Sequence, residues 1–197
     1  MRLLVVAVLL LALGWWWLRP DEIQRPPGVL APDEPVQENL ADGPHFQLGP
    51  YDLHALARFE VDARVLSAEH YSRDREAELA PVDLALGWGP MSSNEVLERL
   101  RVSQGARFFQ YSWRSTRDLP VSPGVLATHS ANMHMIPLDS VTRETLLEAR
   151  RGNLVHLAGW LVEARAGDGW HWRSSMSRGD TGGGACEVVA VERAELR

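Results

Sequence analysis

The 197-residue sequence predicts an α+β domain with a mainly antiparallel, curled or partly barrel-like sheet and two or three short helices, preceded by one N-terminal transmembrane helix. Three observations carry this expectation. Strand-like segments recur from about residue 57 onward, and no long βαβ repeat joins them, so a parallel sheet is disfavoured. The stretches with helical period are short and begin at capping residues. The run Leu3 to Leu18 carries no charge at all. The C-terminal pattern of a glycine-bounded strand, a hairpin and a closing strand would suit a small, partly open barrel of the OB type.

Composition narrows the class. With 45% hydrophobic and 23% charged residues the chain is globular. A net charge of −6 argues against a nucleic-acid surface, which needs clustered cations to replace counterions. All twenty basic residues are arginine and only Ile23 and Ile136 are isoleucine, a bias expected of a GC-rich genome. Every cation is therefore a planar, permanently charged fork. Cys186 is the sole cysteine, which excludes an internal disulfide and a multi-cysteine metal site. No cofactor or metal is expected.

The organisation along the chain follows in order. Residues 1–19 read as a membrane anchor, somewhat short of the ~20 residues of a standard span but long enough if Arg2 and Arg19 snorkel. Trp15, Trp16 and Trp17 suit the membrane interface. Arg2 before the run, and Asp21 and Glu22 after it, place the N-terminus in the cytoplasm. Ala12-Leu13-Gly14 also fits a cleaved signal peptide, and either reading exports the domain to the bacterial periplasm or envelope. Residues 20–44 hold six of the twelve prolines and read as an extended, mobile linker, with Val29, Leu30 or Val36 able to drape over the domain.

Residues 45–197 form the globular domain. Ala57, Phe59, Val61, Ala63 and Val65 alternate with Arg58, Glu60, Asp62 and Arg64, a period-two strand with a dry and a wet face. Asp74 to Ala80 is a short helix stopped by Pro81, and the apolar run from Pro81 closes at Gly87-Trp88-Gly89-Pro90. A helix begins at a cap on Ser92 or Ser93. Arg107 to Trp113 and Val125 to Ile136 read as strands on either side of a turn at Pro120 to Gly124. Asp139-Ser140 starts a helix that runs from about Val141 to Arg150 and ends at Gly152. Leu154 to Ala164 is apolar on both faces, as in a strand buried on both sides. A hairpin turn at Ala166 to Gly169 leads to a strand from Trp170 to Ser175, and Val188 to Val191 closes the sheet.

Three segments carry a resemblance. Pro81-Val-Asp-Leu-Ala-Leu-Gly-Trp-Gly, His129-Ser-Ala-Asn-Met-His-Met-Ile-Pro and Ser174-Ser-Met-Ser-Arg-Gly-Asp-Thr-Gly-Gly-Gly-Ala-Cys-Glu together resemble a group of bacterial membrane-anchored envelope proteins. The resemblance spans most of the domain and implies a location, with no activity attached.

Candidate chemistry centres on the stretch from Trp170 to Glu187. A nucleophilic Cys186 needs a histidine within reach, and His134, His129 and His171 are the candidates, with Asn132 able to orient His134 from the same strand face. The competing reading makes Cys186 a small packed residue. His129 and His134 point to opposite faces of a regular strand and are not expected to share a metal. Asp180-Thr-Gly lacks the second copy that an aspartic-protease site requires, and the glycine run precedes a strand where a phosphate cradle would precede a helix. Trp170 and Trp172 share a face and form a candidate aromatic patch for a protein or cell-wall partner. The favoured function is a non-enzymatic, membrane-anchored interaction domain, and the alternative is a Cys/His hydrolase or transferase of the envelope.

Overall fold

The computed structural model describes residues 23–177 and 185–197. The expected transmembrane run and the Asp180-Thr-Gly-Gly-Gly turn lie outside them. Among the described residues no helix is long and apolar enough to cross a membrane.

The fold is α+β, with a mostly antiparallel sheet that curls into a ring. Its frame is β3 (Tyr51–His70), β4 (Val82–Gly87), β7 (Ser130–Pro137), β8 (Leu154–Ala166) and β10 (Glu187–Leu196). The pairing runs β3-β4-β7-β10-β8, and β8 pairs with β3 again, so the ring closes. The β7–β10 pair is parallel and the other frame pairs are antiparallel. Closure depends on the length of β3, which pairs with β8 from Tyr51 to Arg64 and with β4 from Arg64 to His70. Around the ring lie the short strands β1 (Val36–Asn39), β2 (His45–Leu48) and β9 (His171–Arg173), and a separate hairpin of β5 (Arg101–Gly105) and β6 (Phe108–Ser112).

Two register shifts shape β3, one between Ala55 and Ala57 and one between Val65 and Ser67. Each inserts a residue that moves the following side chains to the other face and bends the strand. Tyr51 and Leu53 therefore lie in an outer cluster, while Ala57, Phe59, Val61, Ala63 and Val65 point into the ring. The inner core is completed by Val82, Leu84, Leu86, Met133, Met135, Leu157, Leu161, Val189 and Val191, drawn from every frame strand. The alternating strand expected from Ala57 to Val65 is the segment between the two bulges. Close contact across β8 and β10 requires Gly159, where an added Cβ would stand 2.0 Å from the carbonyl oxygen of Ala190.

The helices are short, as their capping residues suggest: α1 (Arg75–Leu79), α2 (Asn94–Leu97), α3 (Pro123–Thr128) and α4 (Ser140–Glu148). Asp74, Ser93, Ser122 and Asp139 each accept a backbone N–H at the start of their helix. Leu146 of α4 and the adjoining Ala149 pack onto the inner core. Val125 to Ile136 is not one strand, because Ser122 and Pro123 start α3 and the extended chain begins only at Ser130. Proline at the first helical position, with a serine before it, outweighs the apolar character of Val125 and Leu126.

The proline-rich stretch also differs from the mobile tether expected. Residues 23–44 run against the domain. Val36–Asn39 pairs with β3, and Ala31 is buried. The Trp88 indole N–H donates to Glu34 at 2.8 Å, and the Gly89 N–H donates to the Ala31 carbonyl at 2.7 Å. Proline disfavours helix but allows an extended edge segment, which is the form these residues take.

Candidate functional site

The outer wall of β4 and β7 carries a polar band between two apolar clusters. Asp83, the lone charge in the apolar run of β4, sits directly opposite His134 of β7. Both are buried, with 0% and 5% of their side chains exposed. The Nδ1 atom of His134 lies 2.9 Å from Asp83 Oδ1, but off the line of a well-formed hydrogen bond, so the contact is chiefly electrostatic. Two residues back on the same face, the Asn132 amide donates to the Arg107 carbonyl at 3.1 Å and accepts from Gln104 at 2.7 Å.

Arg107 closes the band from above. It occupies the two-residue β5–β6 turn with Ala106, and both have positive φ, 66° and 49°. That is the conformation a tight hairpin with primed turn geometry demands, and it costs a non-glycine residue about 1–2 kcal/mol. The side chain offsets this through its contacts. One guanidinium nitrogen donates to Asp83 at 2.8 Å and to the Ala80 carbonyl at 3.0 Å, and the other meets Asp74 at 2.8 Å. The guanidinium carbon stands 3.9 Å from the centre of the Tyr71 ring, and the Tyr71 hydroxyl accepts from the Arg107 N–H at 2.9 Å. Burial pushes the Asp74 carboxyl up, but the Arg107 hydrogen bond and the Ala77 N–H outweigh it and hold the group below its ordinary range. Burial likewise raises the Tyr71 hydroxyl.

The expected site residues fall on this band in part. Asn132 and Cys186 come together, with the amide nitrogen 3.8 Å from the sulfur, and the sulfur is also 3.8 Å from the Arg107 carbonyl. Among the described residues the His134 ring is engaged by Asp83 and by Trp172, whose ring centre is 4.7 Å away, instead of by the sulfur. His129 stands apart at the end of α3, with Nε2 3.0 Å from Glu34 and Nδ1 2.8 Å from the Val125 carbonyl. Among the described residues no group of three or more His, Cys, Asp or Glu is placed to hold a metal ion.

Trp170 and Trp172 are both half-buried, with ring centres 6.3 Å apart. Trp170 meets Tyr51 edge-on at 5.4 Å and lies under Arg75, whose guanidinium carbon is 4.7 Å from the ring. Arg75 in turn holds Asp168 at 2.7 and 3.1 Å. Their ring faces thus seal the outer cluster, and Trp170 also borders a shallow hollow with Glu163, Arg165 and His171. Sequence reasoning missed Asp83, Gln104, Tyr71 and Arg107 as site residues. The available signal was a single aspartate inside an otherwise apolar run, since a buried charge demands a partner. Comparison with protein-family models, with curated proteins and with solved structures finds no match for the chain.

Proposed function

We propose that this is a single-pass, membrane-anchored envelope protein whose domain acts outside the cytoplasm as a non-enzymatic interaction module. The observation that carries the second half is the closure of the polar band. The histidine on the Asn132 face of β7 is 5% exposed and clamped between Asp83 and Trp172, so it cannot meet a substrate without local opening. The buried ion network reads as a device that fastens the β5–β6 hairpin to the barrel. The anchor rests on the uncharged run Leu3 to Leu18 with Arg2 ahead of it.

The finer reading of the domain is an OB-like barrel. Its five frame strands, taken in chain order, close as first-second-third-fifth-fourth, with a helix between the third and fourth, and this supports the assignment. Barrels of this type present the face of their second and third strands to ligands. Here residues 88–129 cover part of that face, so a protein or cell-wall partner is met by the added surface and by the Trp170 edge.

The test is photocrosslinking in cells from positions beside Trp170 and Trp172, with alkaline carbonate extraction of the same membranes. Retention in the membrane and a specific crosslinked partner are expected. No adduct above a control that carries the anchor alone would overturn the interaction reading. The alternative, a Cys186 hydrolase or transferase, draws on the Asn132–Cys186 contact. It predicts that Cys186→Ser abolishes function in cells while leaving the partner bound.

A further inference from the structure

Away from the Asp83 band, two adjoining hollows of about 520 and about 310 Å3 share Glu98 and Leu100 and so form one trough. Six arginines line it, Arg99, Arg101 and Arg114 at one end and Arg25, Arg64 and Arg151 at the other. Among the described residues the carboxylates in its lining are Glu98 and Asp118, a formal excess there of four positive charges on a chain of net charge −6.

The arginines differ in what holds them. Arg64 is buried and donates to Ser92 and Asn94, and Arg25 donates to the Gly152 and Arg197 carbonyls, so both serve the fold. Arg99, Arg101 and Arg114 are exposed and, among the described residues, enter no ion pair. Outside the trough lining Arg58, Arg75, Arg165 and Arg173 are each held by a carboxylate, while Arg73, Arg117, Arg143 and Arg150 are exposed and, among the described residues, also enter no ion pair. What distinguishes the trough is that Arg99, Arg101 and Arg114 lie together in one hollow, and guanidinium groups match phosphate oxygens in a bidentate fork.

The second observation is where the chain enters the domain. Ile23 and Gln24 line the same trough. Leu18, the end of the uncharged run, precedes Ile23 by five residues, which is at most about 18 Å of extended chain. With the chain anchored as proposed above, on which this inference rests, the trough is held close to the bilayer surface. The potential of an anionic surface decays over about 8–10 Å at physiological salt, a distance the short tether allows.

We propose that this trough seats on the anionic lipid headgroups of the membrane that carries the anchor, with Arg99, Arg101 and Arg114 pairing with their phosphates. Each arginine near such a surface strengthens docking about five-fold, so the three together contribute about a hundredfold. The tether keeps the headgroups at high effective concentration, so no separate high affinity is needed. Docking there fixes the barrel's orientation and leaves the Trp170 edge for a partner.

The full-length chain in nanodiscs of phosphatidylcholine alone, or with one third phosphatidylglycerol, tests this by hydrogen exchange. Exchange across residues 98–101 and 112–115 should slow at least about five-fold with phosphatidylglycerol. The protection should vanish in 1 M salt and in the triple variant Arg99→Gln, Arg101→Gln, Arg114→Gln, and persist when the same three become lysine. Should the glutamine variant fail to fold, the lipid comparison on the unaltered chain still decides. Equal exchange in both lipids, with the protein retained in the discs, would overturn the trough proposal alone. Release from phosphatidylcholine vesicles by carbonate would overturn the anchoring and this placement with it. Protection in phosphatidylcholine discs on adding inorganic phosphate would overturn headgroup docking in favour of a soluble-anion site.

Discussion

At the scale of single residues, Arg107 connects more of the molecule than any other side chain in the polar band. It neutralises Asp83, which is fully buried, and binds Asp74, which is half in water. Removing one partner of a buried pair strands the other charge, at a cost of about 3–5 kcal/mol. Arg107→Ala is therefore expected to lower stability by about that amount in urea unfolding, and Asp83→Asn added to it should recover part of the loss. A fall of under about 0.5 kcal/mol would show that the pair is not energetically coupled to the fold. The same contact sets a pH dependence. The Asp74 carboxyl is depressed in the folded state, so its contribution is complete above its ordinary value of 3.8 and is lost as pH falls through the lower folded value. Asp168 is lowered by Arg75 and the Trp170 N–H, and Glu163, pushed up by burial, is lowered on balance by Arg165 and Arg173. Stability should thus decline below about pH 4, and less steeply in Arg107→Ala, where the Asp74 carboxyl loses Arg107 and keeps only the backbone N–H contacts that lower it.

At the scale of elements, β3 decides how the sheet closes. Its inner-face alternation was legible from Ala57 to Val65, but the strand extends to Tyr51 and His70. The ends escaped notice because a bulge exchanges the two faces, so periodicity breaks where the strand does not. The α3 segment misled for a related reason, since Val125 and Leu126 suit either state and the cap decided. The β8–β10 contact makes a separate prediction. An added methyl at Gly159 would meet the Ala190 carbonyl oxygen at 2.0 Å, so backbone must move. Gly159→Ala is expected to cost about 1–3 kcal/mol or more, read as a lower unfolding midpoint with the largest rise in exchange along β10. An unchanged midpoint would mean that the two strands separate there freely.

At the scale of the whole molecule, residues 23–44 belong to the folded unit. They supply β1, bury Ala31, and bring Glu34 to both Trp88 and His129. A chain starting at Gly43 should unfold at least about 3 kcal/mol more easily than one starting at Ile23, taking about 1 kcal/mol for each of three lost polar contacts: Trp88 with Glu34, Gly89 with Ala31, and the Ser92 hydroxyl oxygen that accepts from the Leu30 and Ala31 N–H groups. A free tether would make the two chains equal. This packing also brings Ile23 to the arginine-lined trough.

The sequence by itself determined the α+β class, the helix starts at Asp74 and Asp139, and the inner-face alternation from Ala57 to Val65. Those are local matters of period and capping, set by residues within a few positions of one another. Only the tertiary structure decided that β8 returns to β3, that Arg107 descends on Asp83, and that His134 is engaged by Trp172 while Cys186 lies by Asn132. It likewise decided that arginines as distant as Arg25 and Arg151 share one trough. The reason is physical. A charge shows in the sequence where it sits, but what neutralises it depends on which strands pair, and pairing across many residues leaves no local periodic mark.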